Sequence, residues 1–399
     1  MNGEKLYRFV VATLIFLIRM YGGLVILVPS IYIKNIMREL SITSTEVGFL
    51  ISSTMIACLI FIMLTGLVVD KFGAKNTVLF AIVLTTLGGF LIGNAPNFGI
   101  ALIGRFILGM GITWFIPATM PIIMTWFTSK DYGKINAFLN SSMSVGLMMH
   151  FFLTPVLFPP PVWREPHIVY ATMGIFLMIL WILFGKGPKV EMKRDMKRDK
   201  FSFGELIKIK EIWLLGIVMF SLMGVGSSMS SWLPTYLEMK GFPIFIASTI
   251  MGFYNLIGII SSPVGGFISD RIGLRRPFII VSGILTFISF IGLINTTDTI
   301  QLFIFMTGVG WFASFATFSI TTIPMEIAEI SHRKIPFATS IIVMFGFIGQ
   351  IVFVPMVGYM ITLIPFYYTL FIVGLFYLLT TIAGMLCRET GCRVAQNRV

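Results

Sequence analysis

Gly66-Leu67-Val68-Val69-Asp70-Lys71-Phe72-Gly73-Ala74-Lys75 reappears 200 residues later as Gly266-Phe267-Ile268-Ser269-Asp270-Arg271-Ile272-Gly273-Leu274-Arg275. Glycine, acid, base, glycine and base keep their places in both copies, and in a chain of 399 residues the offset is half the length. Such internal symmetry is what a repeated membrane bundle leaves in a sequence. Apolar runs flank each copy, which places the phrase in a tight turn between two membrane spans. The acid there can approach a helix N-terminus or an arginine and hold a bundle shut on one side. The second glycine permits a backbone turn that other residues resist. Asp70, Lys71, Gly73, Asp270, Arg271 and Gly273 are therefore the candidate gating residues.

The composition decides the solvent. Charged residues are 12% and apolar residues 57%, with 39 Phe, 26 Met and a mean hydropathy of +0.94. A soluble domain is about one quarter charged, and no water-soluble fold hides this much apolar surface, so lipid is the expected surroundings. The net charge of +12 does not point to nucleic acid, because most Lys and Arg fall on one side of the proposed membrane. Lys34, Arg38, Arg164 and Lys240 fall on the other, and Arg19 and Arg105 lie inside spans. This bias puts both termini in the cytoplasm of a multi-pass cell-membrane protein, with anionic lipid as a second contact for the basic residues. Cys58, Cys387 and Cys392 show no metal-ligand spacing, and no metal or cofactor is expected. The N-terminal apolar run reads as a retained first span and not as a cleaved signal.

Twelve spans follow from the apolar runs: roughly 9–33, 46–69, 77–95, 98–126, 135–157 and 167–185, then 212–236, 244–268, 278–296, 300–323, 336–360 and 366–386. Residues 186–211 contain the run Lys193-Arg194-Asp195-Met196-Lys197-Arg198-Asp199-Lys200 and cannot enter hydrocarbon. The expected organisation is a six-helix bundle over 1–185, a basic cytoplasmic linker over 186–211, and a second six-helix bundle with a short tail over 212–399. Glycines and prolines within spans, such as Gly23, Gly109, Pro117 and Pro121, serve close helix approach or local bending.

Here the residues resemble a family. The repeated phrase is similar to the loop 2–3 signature of the major facilitator superfamily, G-x-x-x-D-[RK]-x-G-x-[RK], and to its echo in loop 8–9. Ala74 and Leu274 depart from the usual basic residue, and Arg275-Arg276 restore the charge in the second copy. Arg105-Phe106-Ile107-Leu108-Gly109-Met110-Gly111 looks like the family's R-x-x-x-G-x-G segment, and Ser231-Trp232-Leu233-Pro234-Thr235-Tyr236-Leu237 is similar to a stretch of prokaryotic members. The resemblance covers essentially the whole chain. It implies an all-helical membrane fold of twelve transmembrane helices in two six-helix bundles, each a pair of inverted three-helix repeats. It also implies a substrate site between the bundles near mid-membrane and transport by alternating access, with a monomer as the working unit.

The deep charges narrow the cargo. None of the 17 acidic residues lies well inside a span, whereas Arg19 and Arg105 are deep. Each has a glycine four residues on, Gly23 and Gly109, expected to leave room beside the side chain. A buried arginine is costly unless neutralised, so the missing counter-charge can be the substrate. The expectation is that Arg19 and Arg105 converge on one cavity and bind a carboxylate through bidentate contacts. Their placement is similar to organic-anion branches of the superfamily. Those branches carry acidic residues beside the arginines for proton coupling. This chain has Leu17-Ile18 before Arg19, which favours exchange or facilitated movement over proton symport. Arg105 has a second reading, gating through hydrogen bonds to backbone carbonyls at a helix break. His150 is a possible proton site or a hydrogen-bonded neutral imidazole. Tyr21, Asn140, Trp232, Tyr254, Asn255 and Gln350 are candidate cavity residues, and each has an interhelical packing alternative.

The function read from the chain is transport of a small anion, most directly a mono- or dicarboxylate, with a proton or counter-anion as the coupling ion. Export of amphipathic drugs or metabolites is the alternative. A membrane enzyme lacks the clustered nucleophiles and bases it needs, and no phosphate-binding loop supports an ATP-driven pump. A transport-inactive sensor of the same fold stays open.

Overall fold

The computed structural model of the protein describes residues 2–128, 131–187, 206–327, 329–330 and 334–391. The basic run from Lys193 to Lys200, most of the expected linker and Cys392 lie outside them. The described residues are helical, with no strand among them. The chain divides into two compact units, Met1–Met196 and Lys197–Val399.

The first unit is built from α1 (Asn2–Ile26), a 3-10 turn (Val28–Ile31), α2 (Ile33–Leu40), α3 (Ser44–Phe61), α4 (Thr65–Phe72), α5 (Ala74–Gly93), α6 (Phe98–Trp126), α7 (Tyr132–Leu157) and α8 (Glu165–Phe184). Its neighbours include α5 with α6, α1 with α7, α5 with α8 and α3 with α6. The short α2 is amphipathic: Ile33 and Ile36 are buried and the rest stays accessible. Ser41 ends it in the left-handed region at φ 53°, and Thr43 with Glu46 forms a reciprocal cap that starts α3. Asn97 caps α6 through the Ile100 amide.

The second unit contains α9 (Lys210–Met239), α10 (Ile244–Ile272), α11 (Arg276–Asn295), α12 (Thr299–Glu326), α13 (Ile335–Leu363), α14 (Phe366–Leu375) and α15 (Tyr377–Leu386). It repeats the pairing of the first. Gly23 and Gly146 let the α1 and α7 backbones meet, since a Cβ on Gly23 would stand 2.2 Å from the Met143 carbonyl oxygen. At an offset of 200, Met223 replaces Gly23 and lays its side chain over Gly346, and the backbones of α9 and α13 meet instead at Gly349, where a Cβ would stand 2.3 Å from the Phe220 carbonyl oxygen. The same small-residue logic thus closes both units.

Eleven helical stretches among the described residues are long and apolar enough to cross a membrane. The 26-residue α7 is long enough too, but carries Asn140, Ser141, Ser142, Ser144 and His150. Span two is not one rod: α3 stops at Phe61 and α4 restarts at Thr65. The repeated phrase is also more helical than a bare turn. Gly66 to Phe72 and Gly266 to Ile272 finish helices; Gly73 alone, at φ 79°, makes the first turn, and Gly273, at φ 73°, opens a second turn of three residues that ends at Arg275. A side chain at either angle is strained, which is why glycine stands there.

Candidate functional site

In the first unit, buried cations stand without carboxylates. Arg19, on α1, is 1% exposed. Its Nε and Nη2 donate to Thr119 Oγ1 on α6 at 3.2 and 2.6 Å, and Nη2 also donates to the Ile116 carbonyl at 3.2 Å. Nη1 is buried and has no partner. No ion pair among the described residues engages this side chain.

Arg105, on α6, is fully buried. Its Nη2 donates to the carbonyls of Ile26 at 2.8 Å and Ile51 at 3.1 Å, and Nε to that of Leu50 at 3.3 Å. Ile26 is the last residue of α1, where the α-helix gives way to the 3-10 turn. The guanidinium thus covers carbonyls at a helix end, where amide partners run out. This geometry matches the carbonyl-bonded reading of Arg105. Its Nη1 alone has no partner.

The two arginines do not converge. Arg19 meets α6 at Thr119, 14 residues beyond Arg105, which is about 21 Å along a helix axis. Equal depth in two antiparallel helices does not bring long side chains together when each leans a different way. The glycines four residues on do not make room for the arginines either. Gly23 abuts the α7 backbone, and a Cβ on Gly109 would stand 2.4 Å from the Thr54 carbonyl oxygen. They serve helix approach.

His150 on α7 is fully buried; its Nδ1 pairs with Thr154 Oγ1 at 2.9 Å, and that hydroxyl reaches Tyr170 Oη at 2.7 Å. His167 on α8 is buried as well, with Nδ1 at 2.9 Å from the Trp163 carbonyl. Tyr21 is 2% exposed and packs between helices. A Cβ on Gly174 would stand 2.6 Å from its hydroxyl and 2.1 Å from Thr86 Oγ1. Asn140 is exposed. An apolar groove of about 510 Å³ runs between α1 and α8 past Leu17, Met20, Tyr21, Leu24, Met173 and Phe176; Arg19 does not line it.

In the second unit Trp232 is buried, donates Nε1 to the Val354 carbonyl at 3.0 Å and stands edge-on to Phe366. That is an interhelical packing bond. Asn255 donates to its own helix at the Met251 carbonyl, 2.9 Å away. Tyr254 and Gln350 are half-buried. At an offset of 200 from Arg19, Arg105, Thr119 and His150 stand Met219, Phe305, Ser319 and Gln350. The second unit keeps the hydroxyl but not the cations.

The repeated turn differs as well. Arg275, 4% exposed, pairs with Asp270 at 2.7 Å and with Glu326 at 2.8 Å, and donates to Ser269 Oγ at 2.8 Å. Glu389 accepts the Arg275 and Arg276 amides at 2.6 and 3.0 Å. Asp70 and Lys71 are exposed, and no ion pair among the described residues engages Asp70. Arg271 is exposed too. Thr119 is the residue that sequence reasoning missed; a hydroxyl between Pro117 and Pro121 on the helix that also carries Arg105 was the available signal. No group of three or more His, Cys, Asp or Glu able to hold a metal occurs among the described residues.

A family model described as Major Facilitator Superfamily matches residues 11–322 and 246–391. The sialic acid transporter NanX of Escherichia coli (strain K12) is 26% identical over 261 residues, 64% of this chain and 63% of that protein. The hexuronate transporter of Bacillus subtilis (strain 168) is 25% identical, over 61% of this chain and 60% of the relative. The chain thus spans less than two thirds of these two relatives. The probable galactarate/D-glucarate transporter GarP of Escherichia coli (strain K12) is 23% identical over 82% of each chain. Among solved structures, a bacterial homologue of the human lysosomal transporter Spinster, inward-facing and occupied, superposes with a TM-score of 0.81 at 14% identity, covering 95% of this chain and 96% of that one. This last likeness is one of fold.

Proposed function

Because the chain belongs to the Major Facilitator Superfamily, with relatives that transport organic anions, we propose that it carries a small organic anion of the mono- or dicarboxylate sugar-acid class across the cell membrane by alternating access. Arg19 carries this reading. A guanidinium at mid-span, with no carboxylate beside it and one nitrogen without a partner, is stable in a low-dielectric setting once an anion supplies the charge. Arg105, spent on three carbonyls, clamps the end of α1 against α3 and α6 and is not a ligand in this reading.

The bundles correspond to 1–185 and 212–399, joined by the basic linker, with both termini in the cytoplasm. Exchange against a second anion fits a chain without intramembrane acids better than proton symport does. His150, held at Nδ1 by the Thr154–Tyr170 hydroxyl chain, acts as a fixed neutral imidazole.

The test is uptake of D-glucuronate and D-glucarate into proteoliposomes loaded with either anion. Counterflow is expected for the parent, and Arg19→Ala is expected to lose at least about 100-fold in uptake, the cost of removing a charged hydrogen-bond partner. Parental uptake by both Arg19→Ala and Arg19→Lys would sink the anion reading.

A further inference from the structure

Guanidinium has five N–H donors in a planar fork, and its preferred grip on a carboxylate uses two nitrogens. In Arg19 that fork is already filled. Nε and Nη2 both point at one oxygen, Thr119 Oγ1, and Nη2 also reaches the Ile116 carbonyl. Thr119 is itself fully buried. Its hydroxyl hydrogen has the carbonyls of Phe115 and Ile116 as acceptors, at 2.7 and 3.0 Å. Its lone pairs are therefore left to the arginine. Both sides of Nη2 are used, and Nη1 alone keeps two uncommitted donors.

Thr119 has no second task. It belongs to α6 between Pro117 and Pro121, each of which removes an amide from the helix ladder. At an offset of 200 the second unit has Ser319 with a buried hydroxyl that lacks any partner, and Met219 where Arg19 would be. A hydroxyl at this position is thus engaged where an arginine faces it and idle where none does.

We propose that Thr119 is a positioning residue for anion recognition: it occupies the Nε–Nη2 edge of Arg19, so that the substrate anion is met by Nη1 alone. The inference rests on the anion reading of Arg19 and replaces the two-nitrogen grip with a one-nitrogen contact. Thr119 fixes where that nitrogen points, so substrate binding depends on its hydroxyl while the transport cycle does not.

The experiment measures D-glucuronate counterflow in proteoliposomes for Thr119→Val, Thr119→Ser and Thr119→Cys beside Arg19→Ala, with KM separated from Vmax. Thr119→Val keeps the shape and removes the acceptor, and is expected to raise KM about ten-fold at a Vmax within about two-fold of the parent. Thr119→Ser is expected to restore the parental KM. Thr119→Cys, with a weakly accepting sulfur, is expected between the two, and it carries the test if the valine protein fails to assemble. A parental KM in Thr119→Val, or equal losses in Thr119→Val and Thr119→Ser, overturns the positioning role. If Arg19→Ala transports as the parent does, the anion reading itself has failed, a result separable from the first.

Discussion

The first turn, at Asp70, and the second, at Asp270, share their phrase and their positive-φ glycine but not their fastening. At the second, Arg275 is buried among Asp270, Glu326 and Ser269, and Glu389 from the chain's end caps the amides of Arg275 and Arg276. Thr390 adds a bond to Glu326 at 2.7 Å, and Arg388 reaches Glu211 at 3.0 Å. At the first, Lys75 stands in place of Arg275 and Trp126 in place of Glu326. Trp126 there packs on Tyr7 and bonds the Lys186 carbonyl. Even Gly266 and Gly66 differ: a Cβ at 266 would collide with Phe318 at 2.7 Å, whereas nothing lies near Gly66. The first unit puts its comparable clasp at the other end of α5, where Arg164 bonds Glu39 at 2.8 Å and the Gly93 carbonyl at 3.2 Å. A repeated motif fixes backbone geometry; the surrounding helices decide whether its charges are paired.

The largest test of that contrast is Arg275→Ala against Lys75→Ala. Removing Arg275 leaves Glu326 with the Thr390 hydroxyl but no counter-charge, and Ser269 Oγ without its donor; it should cost about 2 kcal/mol, less than a wholly buried pair because Asp270 is exposed. Lys75→Ala should change stability by no more than about 0.5 kcal/mol. Equal shifts in thermal melts of the two purified proteins would break the distinction.

Glu389→Ala comes next. It strips the acceptor from two amides at the start of α11 and should cost about 1 kcal/mol, as loss of a helix cap does. A melt unchanged from the parent would remove the C-terminal segment from the fastening.

Glu39 gives a pH-dependent effect below about 1 kcal/mol, given its exposure. The hydrogen bond from Arg164, followed by that from Trp163, holds its carboxyl below the usual value of 4.5. The folded state therefore binds its proton less readily than the unfolded state. The stabilisation is complete above the unfolded value and is lost as pH falls through the lowered folded one. The gap in melting temperature between the parent and Glu39→Gln should be constant at neutral pH and close below about pH 4. A gap that widens in acid would contradict the assignment.

The smallest effect belongs to Lys75→Arg. If the arginine were sufficient to lock a turn, the first copy would gain what the second has. With Trp126 in place of Glu326, the gain should not exceed about 0.5 kcal/mol, that of an exposed pair with Asp70. A larger stabilisation would mean that residue identity within the phrase, and not its setting, makes the difference.

The sequence by itself determined the membrane setting, the helical spans, the internal repeat and the family, because hydropathy and glycine requirements are local properties that survive without neighbours. It located the break after Gly73 and Gly273 for the same reason. It also showed that no acid could neutralise Arg19 from within a span. Only the tertiary structure decided which way each long side chain leans. Arg19 and Arg105 share a depth by counting residues, yet one reaches Thr119 and the other the Ile26 carbonyl. Trp232 could line a cavity by composition, yet it bonds the Val354 carbonyl between helices, whereas Tyr21 does line the apolar groove beside α8. Rotamer and partner are settled by packing against residues far away in the chain, as Thr119 is from Arg19, and no periodicity in one helix encodes what the facing helix presents.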